Sequence, residues 1–244
     1  HPDAMVWVVD VAQTLHFKQR FEVCRKLGLT SAELVHVSFG RMEFADKGMS
    51  TRKGNIIRLS ELLSEADKRA LALAREKNKD LSEPELQTLS RLMGVGAVKY
   101  NILSQNRVQN ITFDWDKMLS IEGNSAPYLM YTVARAKSIF RKGNLDPASL
   151  QGELELQNER EIQLMLDCFL YPSALKRAAK EYKPNHIANH LHQLAQSFNS
   201  FYNALPVLQA EESLRRSRLL ITATALKALE HGLDLLGIKT PERM

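Results

Sequence analysis

The sequence runs to 244 residues, enough for one large domain or two ordinary ones. Hydrophobic residues make up 44% of it and charged residues 25%, which excludes disorder over most of its length. The formal net charge of +5 admits a polyanionic partner without requiring one. The two cysteines, Cys24 and Cys168, lie far apart without paired spacing. That excludes a disulfide framework or a cysteine-rich zinc site and fits free thiols in a reducing compartment.

The opening His1-Pro2-Asp3-Ala4 does not read as a natural start, so the numbering is expected to begin inside a longer protein. The apolar run Met5-Val6-Trp7-Val8-Val9 is too short for a signal or membrane segment. It predicts a strand buried on both faces, as in a parallel sheet. Helical spacing follows over 12–27, with Gly28 where a C-cap glycine belongs. Glu33 to Phe39 reads as a second strand, completing a βαβ unit. A Gly, Ser, Thr and basic loop spans 48–55, and a charged helix is expected over 60–79. Ser82-Glu83-Pro84-Glu85 carries a capping-box pattern and opens another helix. Phe113-Asp114-Trp115-Asp116 reads as an irregular break. From Pro127 onward only helices are predicted, over 128–142, 153–170, 173–182, 184–205 and 211–236, which means a bundle.

The loop Gly48-Met49-Ser50-Thr51-Arg52-Lys53-Gly54-Asn55 is the first candidate for chemistry. Glycines let backbone approach a ligand, and hydroxyls and cations suit phosphate oxygens. A solvated basic surface loop is the competing reading. It is not a Walker A loop, because Lys53 precedes Gly54. On the helices, His186 and His190 stand four apart, a spacing that can hold a metal. No Glu follows His186 and no third ligand is evident, so no structural metal is expected.

Met49-Ser50-Thr51-Arg52-Lys53-Gly54-Asn55, followed by Ile56-Ile57-Arg58-Leu59, resembles the signature loop of class I aminoacyl-tRNA synthetases in its arginyl version. The usual form is Lys-Met-Ser-Lys-Ser; here Gly48 and Thr51 stand at the two lysine positions. The departure leaves open whether Arg52 or Lys53 supplies the main cation. The resemblance implies that Met49, Ser50, Thr51, Arg52 and Lys53 close over ATP and stabilise the pyrophosphate leaving group. Upstream, Val6-Trp7-Val8-Val9-Asp10-Val11-Ala12-Gln13-Thr14-Leu15-His16-Phe17 looks like the strand and helix start that carry a glutamine facing the amino-acid pocket. Gln13 sits just past the strand's C-terminal end, where open α/β sheets place ligands. Its carboxamide oxygen would accept a hydrogen bond from a substrate guanidinium.

Gly123-Asn124-Ser125-Ala126-Pro127-Tyr128-Leu129-Met130-Tyr131 resembles the family's Gly-x-x-x-Pro-Tyr-Leu-x-Tyr entry to the anticodon-binding domain, which commonly has Gly at the Ala126 position and Gln at the Met130 position. Arg135, Lys137, Arg141 and Lys142 follow on that helix, either as a phosphate track or as a solvated face. Glu212-Ser213-Leu214-Arg215 stands at the family's Asp-Ala-Leu-Arg motif, and His231-Gly232-Leu233-Asp234-Leu235-Leu236-Gly237-Ile238 with Pro241-Glu242-Arg243-Met244 looks like the family's ending. The resemblance implies that the bundle and terminal residues read a splayed anticodon loop by stacking. Arg135, Tyr202 and Met244 are the tRNA-binding candidates.

Taken together, the expected fold is mainly α: the remnant of a Rossmann-type α/β catalytic domain over 1–59, a helical connector touching the tRNA stem over 60–124, and an all-helical anticodon-binding domain over 125–244. The resemblance implies a portion of an arginine–tRNA ligase, cytoplasmic and monomeric, using arginine, tRNA and ATP with magnesium, and no membrane. No His-Ile-Gly-His segment, which class I enzymes also need, occurs in the chain, so alone it is expected to bind tRNA without catalysis. The alternatives are a stand-alone helical RNA-binding module or a protein-interaction module.

Overall fold

The computed structural model describes residues 2–44 and 58–244. The chain divides into two compact units, His1–Asn55 with Gln105–Asp114, and Ile56–Ser104 with Trp115–Met244.

In the first unit, β1 (Ala4–Asp10) and β2 (Glu33–Phe39) pair in parallel from Ala4 opposite Glu33 to Asp10 opposite Phe39. Helix α1 (Thr14–Lys26) makes the crossover. It buries Phe17 and Phe21, whose ring centroids lie 6.2 and 5.0 Å from that of Trp7, and Phe17 stacks on His36 at 4.6 Å. Gly28, at φ +61°, ends the helix as expected, with the Leu29 N–H donating to the Cys24 carbonyl at 3.0 Å. Burial of β1 on both faces is overturned: Val6 is 44% and Val8 66% exposed. Side chains alternate along a strand, and within this unit the described helix α1 covers one face, so Trp7 packs while its neighbours do not. A second parallel pair joins β3 (Met42–Phe44) to β4 (Ile111–Phe113), so the break expected at Phe113 is partly a strand. The returning segment is tied in by the Gly40 N–H on the Arg107 carbonyl at 2.7 Å and the Arg41 N–H on Asn110 Oδ1 at 3.0 Å. At Gly40 a Cβ would fall 2.3 Å from the Gln109 carbonyl oxygen, so only glycine permits this crossing.

The second unit is helical. Helices α2 (Leu59–Lys77) and α3 (Glu83–Leu103) pack through the small residues Ala66, Ala70 and Ala74, all buried on α2, with Gly94 of α3 against the Ala66–Asp67 backbone. The Ser82 capping box forms: Glu85 accepts from the Ser82 N–H at 2.8 Å and from its hydroxyl at 2.6 Å. After the short α4 (Trp115–Leu119), Ser125 caps α5 (Ala126–Gly143) by accepting from the Tyr128 N–H at 3.2 Å, with Pro127 in the first turn. Helix α5 buries Leu129, Met130, Val133, Ala136 and Phe140 at helical spacing, and Asn144 closes it in the left-handed region.

The bundle from Pro127 has four helices, not five: α5, α6 (Glu159–Glu181), α7 (Asn185–Ala204) and α8 (Glu212–Leu235). The helix expected to start at residue 153 starts later. Glu155 is held out of the helix by Ser217, whose hydroxyl accepts from the Glu155 N–H at 2.9 Å and donates to its carbonyl at 3.0 Å. Asn158 then caps α6, accepting from the Arg160 N–H at 3.0 Å while Glu161 accepts from the Asn158 N–H at 2.9 Å. The break expected at Pro172 is absent, because Pro172 is exposed and costs α6 only the bond its N–H would have given to the Cys168 carbonyl. Beside it the buried Tyr171 anchors the helix through its hydroxyl, 2.8 Å from His231 Nδ1. Inside the bundle Arg218 pairs with the fully buried Glu161 at 2.7 Å, and Asp167 accepts from Gln193 at 2.7 Å and Ser197 at 2.5 Å. No described helix is long and apolar enough to cross a membrane.

Candidate nucleic-acid interface

The helical unit builds a cavity of about 350 Å³ from α5, α7, the α2–α3 connection and the tail that follows α8. Tyr131, Arg135 and Ser138 recur at helical spacing on one face of α5 and line it. Tyr202 enters from α7, resting on the buried Phe198 ring at 6.2 Å and an interplanar angle of 26°. Arg243 and Met244 enter from the tail, Lys77 from the end of α2 and Lys79 from the α2–α3 connection.

Arg135 is the organising residue. Its guanidinium carbon lies 4.7 Å from the Tyr131 ring centroid and 4.8 Å from that of Tyr202, so two π-faces hold one planar cation. It donates to Asn199 Oδ1 and, at 3.2 Å, to the Tyr131 hydroxyl. Asn199 is itself fixed, donating to the Tyr128 hydroxyl at 3.1 Å and the Thr132 hydroxyl at 2.9 Å. The Arg135 guanidinium is thereby held by two rings and two hydrogen bonds. A planar cation flanked by aromatic rings and further cations suits phosphate and unstacked bases.

The sequence candidates Arg135, Tyr202 and Met244, from three separate parts of the chain, thus meet in one cavity. Tyr131, Lys77, Lys79 and Arg243 also line it and Asn199 backs Arg135, though none of the five was a sequence candidate. Tyr131 had a signal, standing one turn before Arg135 on the same face, but nothing local marks Lys77 or Lys79. Of the other α5 cations, Arg141 lines the cavity whereas Lys137 turns away to Glu230 at 2.8 Å and to Glu242. Burial works against the Lys137 charge, but the two carboxylates outweigh it and raise the pKa above that of an ordinary lysine.

In the first unit Gln13 ends a short 3-10 turn directly after β1 and is exposed at the start of α1, where the Asp10 carboxylate accepts from the Ala12 N–H at 2.7 Å. Met49, Ser50, Thr51, Arg52 and Lys53 lie outside the described residues. The three histidines of α7 have separate contacts. His186 meets Glu181 at 2.9 Å, and His190 meets the Asp167 carbonyl at 2.9 Å. His192 sets its ring edge on Tyr128, and burial lowers its pKa. Among the described residues no group of three or more His, Cys, Asp or Glu is placed to hold a metal.

Comparison with known proteins gives this geometry its context. The family model for the catalytic domain of class I (R) tRNA synthetases matches residues 1–115, and that for the DALR anticodon binding domain matches residues 129–244. The chain belongs to the arginyl-tRNA synthetase family. The arginine–tRNA ligase of Fusobacterium nucleatum is 43% identical over 242 residues, covering 98% of this chain and 42% of the relative. That of Proteus mirabilis is 40% identical over 248 residues, covering 100% and 43%. Among solved structures, the Thermus thermophilus arginyl-tRNA synthetase superposes with a TM-score of 0.87 at 31% identity, covering 99% of this chain and 41% of that one. The Plasmodium falciparum arginyl-tRNA synthetase gives 0.84 at 27% identity, again covering 99% and 41%. This arginyl-tRNA synthetase family chain therefore spans about two-fifths of the length of the relatives it matches. The cavity around Arg135 lies in the helical unit, most of it on the segment matched as anticodon-binding.

Proposed function

We propose that the chain is a portion of an arginine–tRNA ligase in which the helical bundle binds the anticodon loop of tRNA. In the whole enzyme arginine and ATP form arginyl-adenylate, with pyrophosphate leaving, and the arginyl group then passes to the terminal ribose of the tRNA. Residues 1–59 are the catalytic share, 60–124 a connector that contacts the tRNA stem, and 125–244 the anticodon-binding domain. Met49 to Lys53 stabilise charge developing on the leaving pyrophosphate, where one such donor is worth about 3 kcal/mol of barrier. Gln13 accepts from the guanidinium of arginine. Magnesium enters only with ATP, as part of the substrate. The working compartment is the cytoplasm and the working form a monomer.

The observation that carries the reading is the Arg135 guanidinium resting against the Tyr131 and Tyr202 rings in a cavity also lined by Lys77, Lys79, Arg141 and Arg243. The deciding experiment titrates the chain with arginine tRNA and with the same tRNA altered only in its anticodon, at two salt concentrations. Preference for the intact anticodon that persists at the higher salt is expected. Equal affinity for both, unaffected by Arg135→Ala, would overturn anticodon reading by this site. The chain alone is expected not to charge tRNA, since it holds no His-Ile-Gly-His segment. Arginylation by the purified chain would refute that part.

A further inference from the structure

Residues 238–244 after α8 form neither helix nor strand, and a terminal segment of that kind is ordered only if side chains tie it down. Yet Ile238 and Pro241 are buried, and Arg243 and Met244 reach the cavity around Arg135. Several of the ties meet at one ammonium. Lys137 of α5 bonds to Glu230 of α8 at 2.8 Å and to Glu242 of the tail. Glu230 also accepts from the Thr240 hydroxyl at 3.4 Å, and Arg141 donates to the Glu242 carbonyl at 3.4 Å. The Lys137 side chain is only 15% exposed while that of Glu242 is 79% exposed, so the withdrawn partner is the cation, which needs its acceptors. Lys137 is not among the residues lining the cavity, because two residues of helix separate it from Arg135 by about 200° around the axis.

We infer that Lys137 is a positioning residue, joining α5 and α8 to the tail so that Arg243 and Met244 wall the cavity that receives the anticodon loop. It touches no RNA itself. The inference rests on the anticodon-binding reading above, but its first test does not need RNA.

Amide hydrogen exchange over 238–244 is compared between the chain and its Lys137→Met variant, followed by tRNA titration of both, with and without residues 242–244. In Lys137→Met the tail amides are expected to exchange about tenfold faster or more, while α5 and α8 are unchanged. The tRNA dissociation constant is expected to rise about tenfold, equivalent to about 1.4 kcal/mol, in the intact chain and not at all in the shortened one. Lys137→Arg, which keeps the donors, is expected to restore both readouts. Unchanged tail exchange would overturn the inference, as would an equal loss of affinity in the shortened chain, since that marks direct contact with RNA. Should Lys137→Met fail to fold, Glu242→Gln on the exposed side of the pair is expected to loosen the tail in the same way, and an unchanged tail there is equally fatal. If Arg135→Ala leaves tRNA binding intact, the anticodon reading fails, and the exchange result still decides whether Lys137 holds the tail.

Discussion

Arg135 shows how much geometry a single side chain draws from its neighbours. The Tyr131 and Tyr202 rings and the Asn199 oxygen all hold its guanidinium, so the fork is pre-ordered and would lose little freedom on meeting a phosphate or base. Arg135→Lys keeps the charge but loses the plane and the stacking. It is expected to raise the tRNA dissociation constant by about five- to thirtyfold at fixed salt, with helix content unchanged by circular dichroism. A second residue, Glu181, ends α6 beside α7, its carboxyl held at about 2 by hydrogen bonds from His186 foremost, then Arg177 and Lys183. A carboxylate depressed on folding stabilises the fold above its ordinary value, near 4.5, and that contribution is lost as pH falls through about 2. The stability difference between the chain and Glu181→Gln is therefore expected to shrink as pH drops across that window in urea titrations. A constant difference would show that the Glu181 charge contributes nothing to the fold.

At the scale of elements, two helices depend on single residues. On α3, Gly94 lets α2 approach: an added Cβ would lie 3.0 Å from the Ala66 carbonyl carbon and the Asp67 nitrogen, both backbone atoms that cannot swing aside. Gly94→Val is expected to destabilise the helical unit by about 1–3 kcal/mol in urea unfolding, through overpacking. Unchanged stability would mean that the α2–α3 contact is loose. On α6, the exposed Pro172 withholds one backbone bond without breaking the helix. Pro172→Ala restores an N–H to the Cys168 carbonyl, and its gain is partly offset by a more flexible unfolded chain. A net stabilisation of about 1–2 kcal/mol is expected from the shift in urea midpoint. A loss instead would show that the proline ring holds the helix in its packed form.

For the molecule as a whole, the basic residues around the cavity come from helices, connection and tail alike, so charge is gathered by folding rather than by a run in the chain. If three or four phosphates of a single-stranded loop are neutralised there, log affinity falls with log salt at a slope of roughly −0.7 per phosphate. Raising salt fourfold is then expected to weaken tRNA binding by about twenty- to fiftyfold, and Arg141→Ala to make the slope shallower by about one phosphate. A slope near zero would remove electrostatics from the binding.

The sequence by itself determined what depends on residues within a turn or two of one another. The βαβ order, the glycine stop at Gly28, the Ser82 capping box and the entry to α5 at Pro127 are of that kind, because caps and periodicity act through adjacent backbone groups. Arg135, Tyr202 and Met244 could be offered as candidates one by one, through resemblance to family segments. Their meeting, and the places of Asn199 and Lys79 beside them, were set by packing. The Arg135–Asn199 bond spans 64 positions and the Lys137–Glu242 bond 105, and no local pattern specifies a contact at such separation. Tertiary structure likewise carried α6 through Pro172, since the buried Tyr171 on α8's His231 outweighs a propensity that taken alone reads as a stop. It also exposed one face of β1, because how many layers cover a strand depends on what folds against it and not on the strand's own residues.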